Sequence, residues 1–395
     1  MRLVLFTVLF LVASAFQLKL EETLDNPSFN PPFYDTNTVW VDSVMQVLTP
    51  DQRVAQLFMV AAYSNKGEAH KEFISKLVKE YHIGGLMFMQ GGPVRQTRLT
   101  NHYQSIAEVP LMIAQDAEWG LSMRIDSTLR FPWQMTLGAI QNEKLVYEMG
   151  LEIARQCKRL GVHINFAPVV DVNSNPKNPI INNRSFGEDP VRVALLGKSY
   201  MQGLQDGGVL ACAKHFPGHG DTDADSHKTL PIIPHTKERL DSIDLVPFQH
   251  MVQFGLGSIM VAHLYIPELD NKENLASTLS SKIVSGLLKE EMGFEGLIFT
   301  DALNMKGVSK FYDPGEVDVK ALLAGNDVLL FAEDVPLVSI TGLAGSGKTF
   351  LTLMAGIAGL QEGKYKRIVI TRNVQPVGRD IGFLPGDMND KMMPW

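Results

Sequence analysis

Residues 214–227 read KHFPGHGDTDADSH, a loop-like stretch with three histidines and three aspartates. Two chemistries fit those residue types. His and Asp both ligate zinc, but the stretch has no helical H-E-x-x-H and carries Lys214 beside the cluster, where it repels a cation. The second chemistry is acid–base catalysis. Asp225-Ser226-His227 puts a carboxylate two residues before an imidazole, where it can orient the ring and raise its basicity. A lone loop histidine is more often simply solvated, so the surroundings decide. Asp301, in FTDALNM, closes an apolar run and is a candidate nucleophile. Its competing reading is a helix N-cap, a position that favours Asp. A separate motif, GLAGSGKT at 342–349, has the spacing of a phosphate-binding loop, with Gly342, Gly345, Gly347, Lys348 and Thr349 at the positions that meet phosphate and Mg²⁺.

The elements that position these residues follow from hydrophobic patterning. Short continuous apolar runs lie at 56–63, 84–91, 110–118, 163–172, 209–216, 257–266, 295–305 and 326–334. Amphipathic segments such as EKLVYEMGLEIARQCKRLG and SSKIVSGLLKEEMGF fall between them. Such runs are expected of parallel strands covered on both faces. Eight of them alternating with helices predict an α/β fold of the (β/α)₈ TIM-barrel type rather than an open doubly wound sheet. Asp116, Asp171, Lys214, His215, His263 and Asp301 cluster at the C-terminal ends of the runs, the face where barrel active sites sit. Thr49-Pro50-Asp51-Gln52 predicts a capped helix start.

The 214–227 stretch, with APVVDVNSNPKNPIINNRSFGEDP upstream and FTDALNM downstream, resembles glycoside hydrolase family 3, in its β-N-acetylhexosaminidase branch of NagZ type. The resemblance runs from about Trp40 to about Asp334. It implies a retaining exo-acting glycosidase with Asp301 as nucleophile, His227 as acid/base and Asp225 as its partner, needing no metal or organic cofactor. Asp116 and Arg124 in QDAEWGLSMR match the sugar-gripping pattern D-x-E-G-G-x-x-x-R, with Trp119 where the pattern has its first glycine. That tryptophan either narrows the pocket or adds a stacking face. Arg184 in NRSFGEDP, Lys214-His215 and, more weakly, His263 match further sugar contacts, while Asp171 is expected to organise loops. Terminal β-linked N-acetylglucosamine on peptidoglycan or chitin-like fragments is the implied substrate.

From about Leu337 the chain resembles a second family, the PhoH-like P-loop ATPases, through the loop, IVITRN and GFLPGD. No downstream acidic strand end is present to hold Mg²⁺, so ATP and Mg²⁺ binding there is the alternative reading. The expected organisation is a signal peptide over 1–15, an extension over 16–39, a barrel over 40–335 lacking its normal closing helix, and a truncated P-loop α/β fragment over 336–395. Gene fusion, frameshift or misassembly of reading frames accounts for such a junction, and a non-productive chimera is a third reading.

MRLVLFTVLFLVASA has the short basic start, apolar run and small-x-small site of a secretory signal. This predicts a secreted or periplasmic protein with no stable membrane span after signal removal. The net charge of -7 and pI near 5.8 argue against a nucleic-acid binder. Cys157 and Cys212 sit in apolar contexts and read as buried free thiols.

Overall fold

A computed structural model describes residues 29–223, 229–312 and 315–332. The signal-peptide segment, Asp225, His227 and the whole P-loop segment lie outside the described residues, as does any helix after the eighth strand.

Every apolar run forms a strand. In chain order these are β1 (Phe58–Tyr63), β2 (Gly85–Gln90), β3 (Met112–Gln115), β4 (Ile164–Asn165), β5 (Leu210–Phe216), β6 (Ser258–Val261), β7 (Leu297–Thr300) and β8 (Leu329–Leu330). They form one parallel sheet in the order β7-β6-β5-β4-β3-β2-β1-β8. The two ends meet through a parallel bridge between Phe299 and Val328. Thr300 N–H donates to the Val328 carbonyl at 3.0 Å, and Val328 N–H donates to that of Ile298 at 3.1 Å. The sheet therefore closes into a barrel, and it leaves no sheet edge to protect.

The barrel's interior packing gives the same result. Met59, Met87, Ala114, Ile164, Cys212, Met260, Phe299 and Leu330, one from each strand, pack in a single apolar cluster with Phe166. Residues from all eight strands can meet only inside a closed barrel. A second, larger cluster joins the outer strand faces to helices such as Glu68–Glu80, Glu143–Arg159 and Pro190–Asp206. With both faces buried, the strands read as unbroken apolar runs instead of alternating ones. Both cysteines are buried free thiols, Cys212 in the interior cluster and Cys157 in the outer one. The predicted helix start is a full capping box: Thr49 accepts from Gln52 N–H, and the Gln52 side chain accepts from Thr49 N–H.

The interior layer also dictates where the polar side chains point. Successive strand residues face opposite sides, so residues two apart share a face. Asp116 follows Ala114 by two, Lys214 follows Cys212 by two, and Asp301 follows Phe299 by two. All three therefore continue the inward stripe past the apolar layer and into the barrel mouth.

Candidate active site

At the mouth, charged side chains from the ends of β3 and β5 and from the loops after β3 and β4 form one buried network. Lys214 Nζ lies 2.7 Å from Asp116 Oδ1 and 2.8 Å from Glu118 Oε1. Arg124 pairs with the other Asp116 oxygen. Arg184 forks onto Glu118, Nε at 3.0 Å and Nη2 at 2.8 Å from its two oxygens, the bidentate geometry that suits a guanidinium. Five of the charged groups thus form a chain, Arg124–Asp116–Lys214–Glu118–Arg184.

The physical chemistry of the network follows from its burial. Glu118 is 0% exposed. Burial alone raises its carboxyl, but the charges of Arg184 and Lys214 overcome this and hold it at about 2. Asp116 is likewise pushed well below the carboxylate range: burial opposes its charge, and Lys214 and Arg124 outweigh burial. Both anions are therefore fixed, and so are the cations they hold. Further bonds fix the β3 end itself. Ala117 N–H donates to Asn165 Oδ1 at 2.9 Å, and the Tyr200 hydroxyl donates to the Ala117 and Glu118 carbonyls at 3.0 and 3.2 Å.

The network continues into a second set of groups. An Arg184 Nη2 lies 3.1 Å from His215 Nε2, and His215 Nδ1 lies 2.7 Å from Asp171 Oδ2. A guanidinium only donates, so His215 Nε2 accepts and the ring proton sits on Nδ1, pointing at Asp171. Asp171 also accepts the His219 backbone N–H at 2.7 Å and the His215 backbone N–H at 3.1 Å. Burial works against its charge, but His215 and His219 keep it ionised and its carboxyl lowered. Asp171 thus organises the loop, as expected from the sequence. His219 is itself buried, and burial lowers it to about 4.

Asp301 follows β7 directly. Its backbone N–H donates to the Val261 carbonyl at 2.9 Å, and its Oδ1 accepts from Ala302 N–H at 2.8 Å. The next helix spans Lys306–Ser309 with Met305 at its N-cap, so the N-cap reading of Asp301 does not hold. Asp225 and His227 lie outside the described residues. Near their flanks, Asp221 lies 2.6 Å from His235 Nε2, and Asp223 accepts from Asn175 at 2.6 Å.

Two differences from expectation stand out. Glu118 sits at the centre of the network yet is absent from the sequence-derived candidates; its signal was the two-residue spacing from Asp116, which puts both on one face. His263, expected as a weak sugar contact, is fully buried, with Nδ1 2.6 Å from Thr278 Oγ1 and Nε2 3.0 Å from the Ala302 carbonyl. Its contacts brace the backbone beside Asp301. Among the described residues, no helix is long and apolar enough to cross a membrane, and no group of three His, Cys, Asp or Glu could hold a metal ion.

Comparison with known proteins adds to this geometry. The glycosyl hydrolase family 3 N-terminal domain matches residues 49–357. The PhoH-like protein family matches residues 326–395, so the two matches overlap from 326 to 357. Beta-hexosaminidase A of Pseudoalteromonas piscicida is 38% identical over 280 residues, covering 65% of this chain and 47% of that protein. Beta-hexosaminidase LpqI of Mycobacterium tuberculosis is 32% identical over 309 residues, covering 74% of this chain and 76% of that one. A solved family 3 β-N-acetylglucosaminidase from Paenibacillus sp. is 36% identical at a TM-score of 0.69, over 80% of this chain and 59% of that one. The chain spans about half the length of the first curated relatives it matches, 47% and 54%.

Proposed function

The chain belongs to glycosyl hydrolase family 3, and from that premise we propose that it is a retaining exo-β-N-acetylhexosaminidase. The observation that carries this reading is Asp301 at the end of β7, facing a mouth whose other side is the buried network of Asp116, Glu118, Arg124, Arg184 and Lys214. The names of the relatives support the choice of amino sugar.

In this mechanism the network grips the hydroxyls of a terminal N-acetylglucosamine. The Asp301 carboxylate attacks the anomeric carbon while the bond to the leaving oxygen breaks and His227 gives that oxygen its proton. Water then displaces Asp301, losing a proton to His227, with Asp225 orienting the ring throughout. Peptidoglycan or chitin-like fragments are the substrate class, and residues 1–15 would direct the protein out of the cytoplasm.

The test is hydrolysis of a chromogenic N-acetyl-β-glucosaminide. Asp301→Asn is expected to lower turnover roughly a thousandfold or more, and His227→Ala to abolish the normal pH profile. Folded parent protein without activity would sink the reading, and an active Asp301→Asn would sink the mechanism. The match over 326–395 supports a second reading, nucleotide binding; ATP affinity that disappears in Lys348→Ala is its test.

A further inference from the structure

Trp119 departs from the sugar-gripping pattern, and its surroundings give it a defined place. It directly follows Glu118, so its Cα lies about 3.8 Å from that of a central member of the network. It also lies on the segment that leads from Asp116 to Arg124, whose ends are joined by their ion pair. Its ring packs against Trp133, centroids 4.0 Å apart at 49°. Both indoles are half-buried.

The pair is braced. The Trp119 carbonyl accepts from Phe131 N–H at 3.1 Å. Arg130 lies over the Trp133 ring, 5.2 Å from its centroid. The next residue, Gln134, is buried and grips the Val169 backbone, donating to its carbonyl at 2.7 Å and accepting from its N–H at 3.1 Å. The two rings therefore form a stiff aromatic block between the ends of β3 and β4.

The barrel sets which end of a sugar this block meets. In a closed sheet ordered β7-β6-β5-β4-β3-β2-β1-β8, β3 and β7 are four steps apart in either direction, and so stand opposite each other. A pyranose with C1 at Asp301 points C4, and C6 beside it, toward β3. We propose that Trp119, backed by Trp133, is a specificity-determining stop at the non-reducing end of the pocket. It admits a terminal sugar with free O4 and O6 and rejects one that carries a substituent there. This inference rests on the glycosidase reading.

The test compares kcat/KM on a chromogenic N-acetyl-β-glucosaminide with its O4-methyl and O6-methyl ethers, for the parent, Trp119→Gly and Trp133→Ala. Calorimetric titration of Asp301→Asn protein with the same compounds gives a binding readout free of chemistry. The parent is expected to disfavour at least one ether by about tenfold or more, the scale on which a pocket discriminates one carbon. Trp119→Gly should bring that ratio close to one. Trp133→Ala, which removes the ring behind Trp119 without touching its backbone, should move the ratio the same way and serves if Trp119→Gly does not fold. Parent protein that takes both ethers as well as the unsubstituted glycoside overturns the stop, and so does a ratio unchanged in the variants. Parent protein that neither cleaves nor binds the unsubstituted glycoside instead overturns the glycosidase reading.

Discussion

Glu118→Gln isolates the network's central charge at nearly constant volume. The parent network holds three cations, Arg124, Arg184 and Lys214, against two carboxylates, Asp116 and Glu118. Amidation leaves those cations with Asp116 alone, and deprives Arg184 of its bidentate partner. Removing one member of a buried pair costs about 3–5 kcal/mol. At about 2 °C per kcal/mol for a chain of this size, the melting temperature should fall by about 6–10 °C. Lys214 and Arg184 also lose the anchor that sets their positions, and a displacement near 1 Å costs about a hundredfold in catalysis. The assay is calorimetric melting alongside kcat/KM for Glu118→Gln, Lys214→Met and the double variant. Removing both charges should recover some of the loss, with a coupling of about 0.5–3 kcal/mol. The pH dependence has a definite sign. A carboxyl lowered to about 2 contributes stability that is present above the unfolded value of 4.5 and lost as pH falls toward 2. The gap between parent and variant should stay constant from pH 7 to about 4.5 and narrow below. A Gln variant that melts within about 1 °C of the parent, with additive single effects, would refute the reasoning.

Gly220→Ala should destabilise by about 1–3 kcal/mol or more, because its new Cβ would lie 1.8 Å from the Val172 carbonyl oxygen; Gly286→Ala, with no neighbour nearer than 3.9 Å and inside the helical segment Lys282–Glu291, should be neutral or gain up to about 1 kcal/mol in denaturant melts. Acidification from pH 7 to 5 should lower the melting temperature. Buried His219 and His250 are held at about 4, so the unfolded chain takes up their protons first, below about 6.5. Asp244, raised to about 6 by burial, works the other way as pH falls through 6, and offsets part of the loss. His250→Phe should shrink the pH 7-to-5 difference, and an unchanged difference would remove His250 from the account.

How much was legible in advance depended on the range of the signal. All eight strands could be read because both faces are buried and the apolar runs are unbroken, and a count of eight pointed to closure. The closing bridge between Phe299 and Val328 has no local signature; it follows only from the whole barrel. Asp116, Lys214 and Asp301 stood out as charges at the ends of apolar runs. Glu118 did not, because in QDAEWG it reads as one more polar loop residue until Asp116 is seen to share its face. His263 shows the same nearness to a strand end, but the sequence does not reveal that its ring is held by Thr278 and the Ala302 carbonyl. The role of Asp301 was level between nucleophile and N-cap on sequence alone, since the helix start at Lys306 depends on the turn between them.

The charge arrangement also bears on what kind of ligand the mouth can select. Three cations at a strand-end cleft would ordinarily suggest a phosphate or carboxylate site. Here each is already paired: Arg184 with Glu118, Lys214 with both carboxylates, Arg124 with Asp116. An incoming anion would have to compete with buried carboxylates that are themselves fixed in place. A hydroxyl does not face that competition. It can accept from a lysine or guanidinium N–H and donate to a carboxylate oxygen, taking charge-assisted bonds from both signs at once. Because the pairs are held before ligand arrives, no reorganisation is needed when it binds or reacts. Alternating, pre-paired charges at the β3 and β5 ends therefore favour a neutral polyol.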